Sequence, residues 1–477
     1  MKNIYILSFV ISLALSSCSD ITDYNVDPKR PSDVPAATTF SNAQKNLGDL
    51  VTTMSVGTNV FRLWAQHWTE TTYTDEANYD IVGRDLSAGY WNTVYTNILN
   101  DLKSSRSAIE EDVLLSETTK ANQLAIIDII EVYAFQMLVD LNGNVPYTEA
   151  LNVDENLFPA YDDAAAIYSD LISRVSEDQS TLSQGGSSWG SADIFYGGDT
   201  ELWRKFANSL KLRLGMRLAD VDPTAAQTAV SEAYNAGVLE SSDDNAIIMY
   251  ESSAPNTNPL YDTFVLANRG EDYIAGKTSV DYQLSLDDPR TDDFYDDNIA
   301  TGYIGGIIGA NNSYGNYTHI SRDIVTDPEY PGAIMEYFEV QFFLAEAVER
   351  GFISGNAETF YNNAVTASIL AYGNTPAEAA TYLAQTEVAY SSSNYKEKIG
   401  TQKWLALFNR GFESWTEYRR LDHPDFLVKS AKTDLPVPTR VFYPTTEPAV
   451  NGANYNAAVQ AIGGEDDLFS KIFWDIN

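Results

Sequence analysis

The sequence predicts an all-α protein, an array of paired helices carrying one large irregular, loop-rich face. Three observations predict it. Nine segments (37–56, 87–111, 117–140, 160–182, 199–219, 223–236, 332–351, 355–372 and 394–420) repeat apolar residues at three- and four-residue spacing, the period of one helix face. Two of them, 332–351 and 355–372, meet at a glycine stop as a helical hairpin would. Residues 241–331, rich in Gly, Asn, Asp and Tyr, carry no such period. Apolar residues make up 44% of the 477 and aromatics 12%, enough for a large core and against global disorder. The net charge of −37 excludes a generic nucleic-acid binder, which needs a cationic footprint, and adhesion to anionic lipid through a basic patch.

Taken in order, the chain opens with Lys2 and an apolar run over residues 4–15. A membrane-crossing helix needs about 18–20 such residues, so the run fits the core of a signal peptide. Leu15-Ser16-Ser17-Cys18 follows and resembles the bacterial lipobox, whose cysteine takes a diacylglyceryl group. An ordinary secretory signal with an incidental cysteine is the alternative, but Cys18 is the only cysteine in the chain. Residues 1–17 are read as a lipoprotein signal peptide. Residues 18–35, rich in Asp, Pro and Ser, are read as a lipid-anchored tether. Residues 36–477 are read as a single helical domain, with the irregular insertion at about 241–331.

Within that domain, Ile334, Phe338, Phe342, Ala345 and Val348 form a helical stripe that Gly351 ends. After the turn at Ser354-Gly355 the next helix carries Phe360, Ala364, Ala367 and Leu370. The pair FLAEAVERGFISGNAETFYNNAVTASI resembles a tetratricopeptide repeat, although an unrelated hairpin would share the pattern. One such unit cannot bury its apolar face alone, which makes 87–140 and 160–219 its candidate neighbours. Nine tyrosines lie from Tyr250 to Tyr330, so the 241–331 insertion is read as structured. Residues 421–477, with Pro424, Pro436, Pro438 and Pro444, are read as irregular.

Eight segments then carry a resemblance along the whole chain. They are the lipobox, LWRKFANSLKLRLGMRLAD (202–220), NPLYDTF (258–264), DYIAGKTSVDYQLSLDDPRTDDFY (272–295), MEYFEVQFFLAEAVERG (335–351), QKWLALFNRGFESWTEYRRLDHP (402–424), RVFYPTTE (440–447) and DDLFSKIFWD (466–475). In this order and spacing they resemble the SusD/RagB family of outer-membrane nutrient-binding lipoproteins of Bacteroidetes-type bacteria. The resemblance implies a tetratricopeptide-type helical superhelix with an irregular ligand face opposite it. It implies a non-catalytic, cell-surface protein that sits as a lid on a SusC-like TonB-dependent barrel. Such a protein captures oligosaccharides, or peptides in some branches, and passes them to the barrel.

The shared motifs read mostly as scaffold. Leu202, Phe206, Leu210 and Leu214 form one stripe, while Arg204, Lys205, Lys211, Arg213 and Arg217 make the helix cationic. Internal neutralisation of carboxylates is the preferred reading. Trp404, Phe408, Phe412 and Trp415 read as core, and Arg419 and Arg420 as partners of buried carboxylates.

Sugar capture needs flat apolar surfaces edged with hydrogen-bonding groups, which Tyr, Trp and Asn supply. Two clusters fit. In the first, Trp64 and Trp68 would share a helix face, with Trp68 the expected platform and Tyr73 and Tyr79 exposed on a polar loop. In the second, Tyr303, Tyr314 and Tyr317 stand beside Asn312, with Gly302, Gly305, Gly306, Gly309 and Gly315 open to close approach of a ligand. A self-packed loop is an equal reading of that second cluster. Trp189 and Tyr196 are a third option. The family fixes no ligand residues across its members, so none of these is carried over from it.

Three histidines outside any metal motif, with no P-loop, dinucleotide fingerprint or nucleophile elbow, leave an α-helical glycoside hydrolase as the rival enzyme and a protein-only adaptor as the third class. No cofactor is expected. Asp287, Asp288, Asp292, Asp293, Asp296 and Asp297 could supply a structural calcium ion, but they lack EF-hand order and are read mainly as solvated charge. The acidic surface disfavours polyanions, which points to a neutral oligosaccharide.

Overall fold

A computed structural model describes residues 34–476. The signal peptide, Cys18 and all but the end of the tether lie outside the described residues. Helix α1 (Ala36–Thr52) packs on a long rod that is α-helical over Leu86–Asn92, π-helical over Thr93–Leu99, and α-helical again as α2 (Asn100–Glu111). Then come α3 (Glu117–Asn142), α4 (Ala164–Leu182), α5 (Thr200–Arg217) and α6 (Pro223–Ala236), each packed on the next. Their starts are written in the sequence. Ser116, Asp163, Asp199 and Asp222 each accept a hydrogen bond from a backbone N–H of the first turn. Gly143 and Gly237, at φ 89° and 94°, end α3 and α6.

The second half repeats the plan. Helix α7 (Tyr337–Glu349) packs on α8 (Ala357–Ala371), and α9 (Pro376–Leu383), α10 (Tyr395–Ala406) and α11 (Gly411–Leu421) follow. The helix expected over 332–351 starts late because 332–335 belong to a strand. The helix expected over 394–420 is two helices. Gly411 lies so close to the chain at residues 61–62 that a Cβ there would stand 2.5 Å from the Arg62 nitrogen, and the break lets the backbones approach. Residues 421–477 are not wholly irregular, since Gly452–Ala461 is helical.

Three two-stranded antiparallel ladders stitch the loops to this frame. Strand β1 (Trp68–Glu70) pairs with β5 (Tyr273–Ala275), β2 (Val145–Pro146) with β3 (Tyr161–Asp162), and β4 (Ala246–Ile248) with β6 (Gly332–Met335). One large apolar cluster reaches from Phe40 to Trp474.

An ionic lattice runs through this core and accounts for the cationic helix α5. Arg213 pairs with Glu339 at 2.8 Å and Glu413 at 3.2 Å, and Arg217 with Asp140 at 3.2 Å and Glu413 at 2.7 Å. Arg420 meets Glu346 at 2.5 Å and Glu417 at 2.8 Å, and Lys403 meets Glu417 at 3.0 Å. All of these side chains are buried. Arg419 departs from expectation. It lies over the Trp415 ring at 3.5 Å and donates to the Thr439 and Asp140 carbonyls, because Trp415 and Trp474 enclose it where a carboxylate was expected.

Candidate functional site

The β1–β5 ladder positions the site. Its register sets Trp68 against Ala275 and Glu70 against Tyr273. Just past β1, Thr71 donates from its nitrogen to the Asp272 carbonyl (2.9 Å) and from its hydroxyl to that of Glu271 (2.7 Å). Residues 304–312 lie as a strap along the far side. Gly306 donates to Ala275 O and accepts from Lys277 N, both at 2.8 Å.

The strap's glycines exist for this contact. A Cβ on Gly306 would stand 2.3 Å from Ile274 Cδ1, one on Gly305 2.4 Å from Lys277 Cα, and one on Gly309 2.7 Å from Asn78 Oδ1. These three admit the protein's own chain, contrary to the expectation that they open to a ligand. Asn312 is corrected in the same way. Its amide donates to the carbonyls of Glu70, Ile307 and Ala310 and accepts from Ile307 N, so it clamps the strap from within.

Beyond the clamp the chain turns through Tyr314–Asn316 and presents a flat surface. The Tyr314 and His319 rings stack at 3.8 Å with 12° between planes, and His319 Nε2 lies 3.1 Å from the Tyr314 carbonyl. They line a cleft of about 440 Å³ whose apolar floor includes Phe264 and Tyr273 and whose polar edge includes Asn268, Glu271, Asp296 and Arg322. Burial raises the Tyr314 phenol above its usual value, and Glu271 and Asp296 add to the rise against Arg322. Among the described residues no carboxylate pairs with the exposed Arg322 guanidinium, while Asp296 accepts from the Arg322 backbone nitrogen at 3.0 Å.

Tyr73 is exposed beside the same wall, its ring 5.3 Å from the Arg269 guanidinium, which pairs with Asp272. Tyr317 follows Tyr314 on its turn and is half-buried. Tyr303 does not line the cleft; it packs on the main core and donates to Asp292 at 2.7 Å.

Trp68 is not a platform. It lies in a strand, wholly buried, 5.7 Å from Phe264 and 6.3 Å from Tyr273, and so supports the cleft floor from beneath. Trp64 is buried as well and donates to the Glu76 carbonyl. Tyr79 is buried edge-on to Trp64, because its positive φ of 67° turns the chain inward. Trp189 stacks on Phe40 and Tyr196 donates to Asp244 O, and both are core. The aspartates at 287–297 diverge. Asp288 pairs with Arg290, Asp292 accepts from Tyr303, Asp293 from Asn374 and Asp296 from Arg322 N. Among the described residues no three His, Cys, Asp or Glu converge as a metal site.

His319, Arg322, Phe264, Asn268 and Glu271 are not among the ligand residues expected from sequence. A histidine five residues after Tyr314, in a Tyr- and Asn-rich loop, was the available signal.

A rigid helical frame carries a stacked-ring cleft of mixed polarity built on loops, the kind of place where small-molecule sites concentrate. Residues 28–444 match the SusD-like family described as starch-binding and associating with the outer membrane. The chain belongs to this family, whose members are binding proteins rather than enzymes. Among similar solved structures, one described as a chitin-binding protein is 27% identical with a TM-score of 0.81, covering 93% of this chain and all of that one. A chitin-binding SusD homolog from Flavobacterium johnsoniae is 21% identical with a TM-score of 0.80, covering 93% and 99%. A SusD homolog from Bacteroides uniformis is 24% identical with a TM-score of 0.79, covering 92% and 99%. The last two show the fold alone. No curated protein matches the chain. No helix of the described residues is long and apolar enough to cross a membrane.

Proposed function

We propose that this chain is a cell-surface glycan-binding lipoprotein. It takes a neutral oligosaccharide in the Tyr314–His319 cleft and delivers it unchanged to a SusC-like TonB-dependent transporter. The observation that carries the reading is the stacked Tyr314–His319 pair edged by donors and acceptors. The apolar C–H face of a pyranose lies on such a surface while its hydroxyls reach Asn268, Glu271 and Arg322. Two carboxylates against one guanidinium on that edge disfavour an acidic glycan. The family description and the chitin-binding relative support a carbohydrate over a peptide.

Calorimetry against a panel of neutral and acidic oligosaccharides, chitooligosaccharides included, tests the reading. A neutral glycan should bind wild type and lose affinity with Tyr314→Ala. Binding of acidic glycans alone, or release of new reducing ends, would overturn it. Anchorage through Cys18 and docking to the transporter complete the proposal. Cys18→Ala should move the protein from the membrane to the soluble fraction, and a tagged wild-type chain should co-purify a TonB-dependent barrel.

A further inference from the structure

A second cleft, of about 540 Å³, opens beside the β4–β6 ladder, the end of α8 and the turn at residues 407–410. It shares no lining residue with the Tyr314 cleft. Its polar side is built from Tyr330, Tyr372, Asn409 and Glu336. Asn409 Nδ2 donates to the Tyr330 hydroxyl oxygen at 3.2 Å and to that of Tyr372 at 3.5 Å. Each phenol is therefore already an acceptor, and neither of their protons finds an acceptor among the described residues. The Glu336 carboxyl makes no side-chain hydrogen bond among them either. Its nearest cation, Arg410, stands 3.9 Å away and is spent on Glu339.

Part of this polar set faces water, which an occupant with matching groups can displace and replace. The set offers two phenol protons and two carboxylate oxygens. Adjacent hydroxyl groups, each able to give one proton and accept another, complement it. Charge argues for a neutral occupant. Glu336 opposes an anion. Arg410 and the buried Arg62, whose guanidinium donates only to the Thr52, Thr53 and Asn409 carbonyls, oppose a cation. Exposed Met249 and Leu370 flank the cleft with an apolar rim suited to C–H groups.

We propose that this cleft is a second binding site, for a neutral hydroxyl-rich molecule of monosaccharide size, with Tyr330 and Tyr372 donating and Glu336 accepting. Burial raises the Glu336 carboxyl to about 7, Arg410 opposing and Glu339 adding to the rise, while Tyr330, Tyr372 and Arg62 line the same space. Hydroxyls that donate to Glu336 favour its charged form, so affinity rises as pH increases through about 7.

Saturation-transfer NMR on the full mature chain, with millimolar glucose, xylose or N-acetylglucosamine, tests the site. The Tyr314→Ala background keeps the result separate from the fate of the first cleft. At least one sugar should show transfer there, Leu370→Trp should abolish it by filling the mouth from an exposed position, and Tyr372→Phe should weaken it about tenfold. Absence of transfer from all three sugars in Tyr314→Ala, or transfer that Leu370→Trp and Tyr372→Phe leave intact, would overturn the proposal.

Discussion

Trp68 and Tyr314 show how far two aromatic residues can differ in role. Trp68 touches Phe264, Tyr273 and Phe408 with no exposed surface, so Trp68→Ala opens a cavity and should cost about 3–5 kcal/mol of stability in a thermal or denaturant melt. Tyr314 is half-buried and stacks only on His319, so Tyr314→Ala should leave stability within about 0.5 kcal/mol. The same substitution should weaken glycan binding about thirtyfold, as expected for loss of an aromatic anchor worth ~2 kcal/mol. Sequence could not separate the two, because periodicity marks a residue as apolar and patterned without saying on which side of a strand water lies. Trp68 sits in a three-residue strand too short to show alternation, while Tyr314 stays half-buried at the cleft on a turn that follows the Asn312 clamp. Glu336 adds a pH dependence of its own. Its folded value of about 7 exceeds the usual 4.5, so its contribution is fully present below about 4.5 and is lost as pH rises through about 7. Glu336→Gln should flatten the decline of stability over that window, measured by denaturant melts across pH.

Among elements, the strap at 304–312 ties scaffold to site. Gly306→Ala forces a Cβ against Ile274 and should cost about 1–3 kcal/mol while weakening glycan binding, whereas Gly315→Ala, with open space at its Cβ, should change neither. Melting curves and calorimetry on both variants check this. The α7–α11 contact is tied by Arg420 and Glu346. Arg420→Met removes one of the two guanidinium groups that hold the buried Glu346, Arg350 being the other, and should cost about 3 kcal/mol, part of which Glu346→Gln restores in the double variant. The long helices were legible because caps such as Asp199 and stops such as Gly143 stand beside strong apolar periods. The ladders were not, since their strands are two to four residues long and their partners lie far away in sequence, as β1 from β5. Helix α9 lies outside the segments predicted from sequence, although the Thr375–Glu378 capping box at its start is visible in the chain.

At the scale of the whole molecule the ionic lattice sets acid tolerance. Burial raises Glu346 and Glu413, but Arg420 and Arg350 around the first, and Arg213 and Arg217 around the second, more than offset it and hold both at about 2. Their contribution is therefore present above the usual 4.5 and is lost as pH falls toward about 2. Unfolding followed by circular dichroism should show a native chain at mildly acidic pH and collapse of the fold only well below 4.5.

The same lattice shapes how copies meet one another. Arg213, Arg217, Lys403, Arg410 and Arg420 are buried with as many carboxylates, so their charges cancel within the core and the −37 of the chain is left to the remaining groups. Two such bodies brought side by side push each other apart until ions in the medium muffle the repulsion, within about 8 Å at physiological salt. A crowded field of them would stay dispersed, each cleft open to passing solute.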